Sequence, residues 1–344
     1  MFEDINLSEQ EVNIFDKFVG SEKNGLGMQW AKNVFERKEL SEDEKAFSEL
    51  VENKILKADR FGSRQAKEEL AQIALIVVEN DFADYPYEIV NALFDSASYG
   101  EFDLIIQRGR IKNTLRVYET APRTGNVETS YVDFSEGYTQ RTHLQGEIEY
   151  KMENLRKNGA LGFAEFVLML QEQFTIAKFK AVFDMVLKLK ATPDASGAIT
   201  ASLIDDIQEA VTANCKSGTP VIAGLTSNIQ KLSKKYRESY GASFDDATKS
   251  DIIRNGYLTV MDGLGFAVCR DALKTADGET ILPKNKLIGI GGKIGTFFTA
   301  GQIRIYPTED GNSEALHYKI TGLELGIIVD PELVKDKLVI VDLQ

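Results

Sequence analysis

Two histidines, two cysteines and two pairs of neighbouring aspartates are the residues of this 344-residue chain whose types suit catalysis or metal binding. The cysteines, Cys215 and Cys269, stand 54 positions apart, with no CxxC and no histidine nearby. Neither a zinc site nor a disulfide framework is expected; two free buried thiols are. His143 and His317 are too few for chemistry that needs several imidazoles, and His317, within ALHYKITG, alternates like a residue on a strand face. Asp205-Asp206 and Asp245-Asp246 offer carboxylates to a metal, but both pairs fall where exposed or N-terminal helix positions are expected. GIGGKIGT (289–296) looks like a phosphate cradle and fails as one. A P-loop needs Ser or Thr directly after GK, because that hydroxyl binds magnesium, and here Ile294 follows Gly292-Lys293. The dinucleotide pattern GxGxxG also puts Ile294 where its third glycine belongs. A glycine-rich connection beside strands is the expected reading. No GxSxG, HExxH or Cys/His nucleophile arrangement is present. No catalytic, cofactor-binding or metal site is expected, no cofactor is called for, and the chain is not expected to be an enzyme.

The balance of residues points the same way. With 43% hydrophobic and 27% charged residues, the composition is that of an ordinary soluble globular protein. At this size roughly three quarters of the unfolded surface is buried on compaction. The longest apolar run is Ile73 to Val78, far short of the roughly 20 residues that span a bilayer. The acidic start, MFEDINLSEQE, lacks the basic-then-apolar pattern of a signal peptide, so neither secretion nor membrane insertion is expected. Forty basic against 53 acidic residues leave a net charge of −13. Such a surface is not expected to hold DNA phosphate generally, since that affinity comes from Lys and Arg displacing counterions. The charge is unevenly spread. Residues 1–100 carry 21 acids and 11 bases, while residues 104–125 carry Arg108, Arg110, Lys112, Arg116 and Arg123 against Glu119 alone. A basic arm beside an acidic region is either a solvated accident or an arm that docks on an acidic neighbour.

The elements that would position these residues follow from periodicity. The first hundred residues read as helical. Ser41-Glu42-Asp43-Glu44 is a capping box, and Phe47, Leu50, Val51, Ile55 and Ala58 follow as one apolar stripe. A second stripe runs from Ala66 through Leu70, Ile73 and Ala74 to Val77 and Val78. From Glu101 the pattern becomes strand, a turn-rich tip at Pro122, Gly125 and Asn126, and strand again. This long polar hairpin has little to bury against its own domain, so it lies on that domain or packs on another subunit. Phe163 to Lys190 keeps the helical period over 28 residues, about 42 Å, with Asn158-Gly159 and Gly162 breaking the pattern before it and Thr192-Pro193 after. Next come a helix from near Ser202, a buried strand and loop in TPVIAGLTSN (219–228), and a helix in IQKLSKKYRESYG. GYLTVMDGLGFAVCRDAL (256–273) adds strand and turn signals, an α/β or α+β alternation. From Lys286 the chain is strand-rich. QIRIYP and ALHYKITG flank Glu309-Asp310-Gly311-Asn312 as a hairpin, and LGIIVD and KLVIVDL supply two more strands.

This order of elements resembles the major capsid proteins of tailed bacteriophages, the Hong Kong 97 type. The residues that carry the resemblance are YVDFSEGYTQRTHLQGEIEY (131–150) leading into the long helix, TPVIAGLTSN after a helix, GYLTVMDGLGFAV (256–268) and ILPKNKLIGIG (281–291). It covers roughly residues 100–344 and rests on order and spacing more than on any signature residue. The resemblance implies an α+β capsid fold of five parts: an N-terminal arm and helical region (1–100), an extended E-loop hairpin (101–145), a peripheral domain with a spine helix (146–195), an axial α/β domain (196–290), and a C-terminal β region returning to the peripheral domain (291–344). It implies self-assembly through pentamers and hexamers into an icosahedral shell enclosing double-stranded DNA without sequence-specific binding. Portal, scaffolding and decoration proteins would be further partners, with no membrane. The shell would be assembled in the host cytoplasm and found in the virion. With numbering from Met1, no large cleaved scaffolding segment is expected. Arg108, Arg110, Lys112, Arg116 and Arg123 are then expected at inter-subunit contacts, and loops at Gly224, Thr226, Asp262 and Gly263 near the capsomer centre. The rival within the fold is an encapsulin-like compartment; the rival outside it is a soluble enzyme with a carboxylate site in the α/β unit.

Overall fold

Ser41 and Glu44 close the reciprocal cap that their spacing predicts. The Ser41 N–H donates to the Glu44 carboxylate at 2.7 Å, and the Glu44 N–H donates to the Ser41 hydroxyl at 3.3 Å. They open helix α2 (Glu42–Phe61), whose predicted stripe of Phe47, Leu50, Val51, Ile55 and Ala58 is buried throughout. The computed structural model describes residues 13–14, 17–18, 26–61, 64–79, 87–100, 111–112, 133–134, 137–190, 192–213, 220–240, 252, 254–257, 260–261, 263–275, 277–301, 304–308 and 315–344. Before α2 lies α1 (Leu26–Phe35) and after it α3 (Arg64–Glu79). Trp30 of α1 is fully buried, edge-on to Phe47 at 4.8 Å, with its indole N–H donating to Ser48. On α3, Ala66, Leu70, Ile73 and Ala74 are buried as expected; the side chains of Val77 and Val78 lie outside the described residues.

These helices surround the long one. Helix α5 (Met152–Lys188) contains the predicted 163–190 stripe almost whole, since Phe163, Phe166, Val167, Leu170, Phe174, Phe179, Val182, Phe183 and Val186 are buried. Ala177, counted in that stripe, is exposed. The helix starts 11 residues earlier than the stripe and is broken where the glycine predicts, at Gly159 (φ 54°, ψ −132°). Glycine is required there twice over: the conformation is left-handed, and a Cβ would stand 3.1 Å from Glu52 Oε1.

Under the helices lies a five-stranded sheet. Its axis is β12 (Ala315–Val329), paired antiparallel along one side with β4 (Tyr138–Lys151). The other side of β12 takes β11 (Arg304–Thr308) and β10 (Gly295–Ala300), both antiparallel, and β10 pairs in parallel with β1 (Phe94–Tyr99), which follows the short helix α4 (Tyr87–Leu93). The predicted hairpin around 309–312 is borne out in its ladder, Thr308 opposite His317; its tip lies outside the described residues. Strand β1 corrects the all-helical reading of the first hundred residues. Its side chains alternate too shallowly to announce a strand, and its partner is two hundred residues away.

The second sheet has six strands, in the order β5 (Ala195–Gly197), β13 (Leu338–Leu343), β9 (Lys286–Ile290), β6 (Val221–Leu225), β8 (Leu264–Cys269) and β7 (Val260–Met261). Its residues alternate between two cores. Leu225, Ala267, Ile288 and Ile340 join the core of the helical layer, whereas Ile222, Leu264, Leu287 and Val341 join a second core under α6 (Ala201–Thr212) and α7 (Thr226–Tyr240). Two expectations need correcting. The segment 291–344 does not return to one unit: β10 to β12 build the five-stranded sheet, but β13, after α8 (Pro331–Lys337), closes the six-stranded one. And TPVIAGLTSN does not end in a loop, because α7 begins at Thr226 directly after β6. The glycines of GIGGKIGT make the crossing from β9 to β10 between the two sheets. A Cβ on Gly291 would meet the Val211 carbonyl at 2.8 Å, and one on Gly295 the Ile328 carbonyl at 2.0 Å.

Candidate subunit interface

Among the described residues, no group of three or more His, Cys, Asp or Glu could hold a metal ion. Cys269 ends β8 inside the core; burial, helped by the nearby Asp271 carboxylate, pushes its thiol up to about 11, so it is protonated at neutral pH. Cys215 and Asp245-Asp246 lie outside the described residues, as does the side chain of His317. His143 is exposed on β4, and Asp205 and Asp206 are exposed on α6. Among the described residues, no cluster of these side chains forms.

The surfaces left open are more informative. Arg108, Arg110, Arg116 and Arg123 lie outside the described residues. Lys112 falls in β2 (Ile111–Lys112), which pairs antiparallel with β3 (Asp133–Phe134), Lys112 opposite Asp133. This ribbon joins neither larger sheet among the described residues. A two-stranded ribbon alone is marginal in water, so it gains from a surface to lie on. Directly after it, β4 runs 14 residues with one edge on β12 and, among the described residues, no strand on the other. None of its described side chains is buried; Tyr138, Arg141, His143, Gln145, Glu149 and Lys151 are exposed. A long open edge presents a row of unpaired N–H and C=O groups to any approaching chain. Phe35, Leu56 and Met169, on α1, α2 and α5, are large apolar side chains 43–52% exposed.

The four residues expected in capsomer-centre loops are differently placed. Gly224 lies within β6, where a Cβ would stand 2.6 Å from Leu287 Cδ2, and is a packing position rather than a loop. Thr226 opens α7 and its hydroxyl donates to the Cys269 carbonyl at 3.2 Å. Gly263 is an exposed turn residue with φ 81° between β7 and β8; Asp262 is outside the described residues. The corner at Thr226 is braced: Asp271 accepts from the Ser227 N–H at 2.9 Å and hydroxyl at 2.8 Å, and Asn228 donates to the Lys284 carbonyl at 2.8 Å. Sequence reading missed this brace, because its partners stand 43 to 56 positions apart. One ion pair ties the long helix to a connection of the second sheet, and one hydrogen bond ties the segment just after that helix to β13. Lys180 pairs with Glu279 at 3.0 Å, a hydrogen bond that raises the lysine's pKa against the opposing pull of burial, and Asp194 accepts from the Ile340 N–H at 2.8 Å.

No family model matches the chain, and no curated protein matches it. Solved structures to which it is similar include that of Gordonia phage Cozz, 12% identical over 74% of this chain and 86% of that one, with a TM-score of 0.48. Mycobacterium phage Patience is 11% identical over 82% and 88% of the two chains, TM-score 0.44. A virus-like particle from Pyrococcus furiosus is 11% identical over 80% and 98%, TM-score 0.37.

Proposed function

We propose that this chain is the major capsid protein of a tailed bacteriophage, of Hong Kong 97 type, which assembles through pentamers and hexamers into an icosahedral shell around double-stranded DNA. One observation carries the reading: among the described residues, a ribbon that joins neither larger sheet precedes a 14-residue strand with one open edge, which runs straight into the 37-residue helix of the helical layer. Among the described residues, no strand of the chain itself pairs with the ribbon or the open edge, and further copies supply that partner. Many modest contacts repeated by symmetry then close a stable shell without any strong single one. In this reading the segment 101–145 is the E-loop that lies over an adjacent subunit, with Arg108, Arg110, Lys112, Arg116 and Arg123 against acidic surface. The exposed turn at Gly263 approaches the capsomer centre. Portal, scaffolding and decoration proteins are its further partners, the host cytoplasm is where it assembles, and the shell does no catalysis.

Electron microscopy and gel filtration of the purified chain test this. Rings, sheets or closed shells are expected; a stable small species that never forms them overturns the proposal. Particles made during infection are expected to protect double-stranded DNA from nuclease, and DNA-free particles with a protein cargo would reassign the shell as a compartment.

A further inference from the structure

Three lysines stand on one face of α7, at Lys231, Lys234 and Lys235, at the i, i+3, i+4 spacing that makes neighbours on a helix. With Lys284 from the segment before β9, they line a groove of about 490 Å³ on the outer side of the six-stranded sheet. Its lining includes the apolar side chains of Ile199 and Leu343, and among the described residues its one acidic side chain is Glu238, which pairs with Lys235 at 3.0 Å. Among the described residues, no carboxylate pairs with Lys231, Lys234 or Lys284, all of them exposed. A surplus of about three positive side chains in one concavity stands out on a chain whose net charge is −13.

We infer that this groove binds residues 1–11 of a second copy of the chain. That segment, MFEDINLSEQE, carries Glu3, Asp4, Glu9 and Glu11 and no Lys or Arg, with Phe2, Ile5 and Leu7 interleaved. It offers acids to the lysines and apolar side chains to Ile199 and Leu343. The alternative, DNA, fits less well. Among the described residues the groove has no arginine and no aromatic residue on which a base could stack, and a duplex needs a broad basic face rather than a concavity with an acid in it. The segment's own groove is the poorer choice for it. Phe18 stacks on Phe47 at 4.8 Å in the core of the helical layer, on the opposite face of the six-stranded sheet. The inference deepens the shell reading by naming one of its subunit contacts, and rests on that reading for its biological setting.

The test mixes two full-length preparations of different tag, one carrying Leu7→Cys and the other Asn285→Cys, both with Cys215→Ser, under mild oxidation. Cys269 is buried and protonated and takes no part. A disulfide between differently tagged chains is expected. Its yield should fall at least tenfold when the second chain also carries Lys231→Glu and Lys234→Glu, with unchanged melting, and should fall as salt rises. Shells without the disulfide overturn the groove inference and leave the shell reading standing; the disulfide without shells does the reverse. With both cysteines on one chain, linkage only within that chain would assign the groove to its own segment and overturn the inference. So would a short DNA duplex that binds the wild type with the same lysine dependence and blocks the disulfide.

Discussion

The two sheets of this protein solve the problem of their own surfaces in opposite ways. The six-stranded sheet is covered on both faces by its own chain, so its strands are short and send alternate residues into two cores. The five-stranded sheet is covered on one face by helices. β12 sends Tyr318, Ile320, Leu325 and Ile327 into that core, and its other face carries Lys319, Thr321 and Glu324. Phe298 is the exception on the outer face, closed over by Tyr99 edge-on at 5.7 Å and by the Arg141 guanidinium at 5.8 Å. Beyond it β4 buries none of its described residues and, among the described residues, leaves an edge free. Among the described residues, the chain itself finishes one region and leaves an edge of the other open. For the proposed function these would be complementary duties, since one part must keep its shape while another accepts contact.

The contrast can be broken most severely from within the shared core. Phe183→Ala removes a fully enclosed ring from α5 and should cost about 3–5 kcal/mol, measured by urea unfolding. Because that core also takes one face of the six-stranded sheet, hydrogen exchange should speed up in both sheets. Loss of protection in the five-stranded sheet alone would show the other to be an independent unit. Asp271→Ala strips the brace from the first turn of α7 and should cost about 1–2 kcal/mol, with the exchange gain confined to residues 226–240. A spread into β4 and β12 would contradict the separation of roles.

A smaller effect probes the helical layer through pH. Burial works to raise the Glu44 pKa, but the Ser41 N–H, Asn33 and the Ser41 hydroxyl outweigh it and hold the carboxylate below its ordinary value. A depressed folded-state pKa stabilises above the unfolded value of about 4.3 and loses that contribution as pH falls through the folded one. Ser41→Ala should therefore cost about 1 kcal/mol at pH 7, and its gap from the wild type should narrow below about pH 4. A gap constant down to pH 2 would dissociate the cap from the carboxylate. The smallest effect on folding is expected where the effect on assembly is largest. Changing Arg108, Arg110 and Arg116 together to Glu should leave the melting temperature unchanged, since exposed pairs are worth about 0–1 kcal/mol each, while shells fail to form. Normal shells from this variant would remove the basic ribbon from the interface.

What the sequence determined by itself is what neighbouring residues settle among themselves. A stripe at helical spacing can be buried only as a helix, so α2, α3 and the long α5 were legible, as were the Ser41–Glu44 cap and the break at Gly159. The hairpin of β11 and β12 was legible because its strands are close in the chain and a turn signal lies between them. Tertiary structure alone decided the rest, because the deciding partners are remote. The Phe94–Tyr99 segment is a strand only because β10, at 295–300, offers it a parallel edge. The last strand joins the six-stranded sheet because β9 and β5 leave a slot between them. Thr226 begins a helix rather than a loop because Asp271 and the Cys269 carbonyl take up its first polar groups. Lys284 meets the lysines of α7 in one groove only after the fold has brought residues some fifty positions apart together. No local pattern encodes a meeting of that kind, since its driving force is the burial of surfaces that separate stretches of chain share.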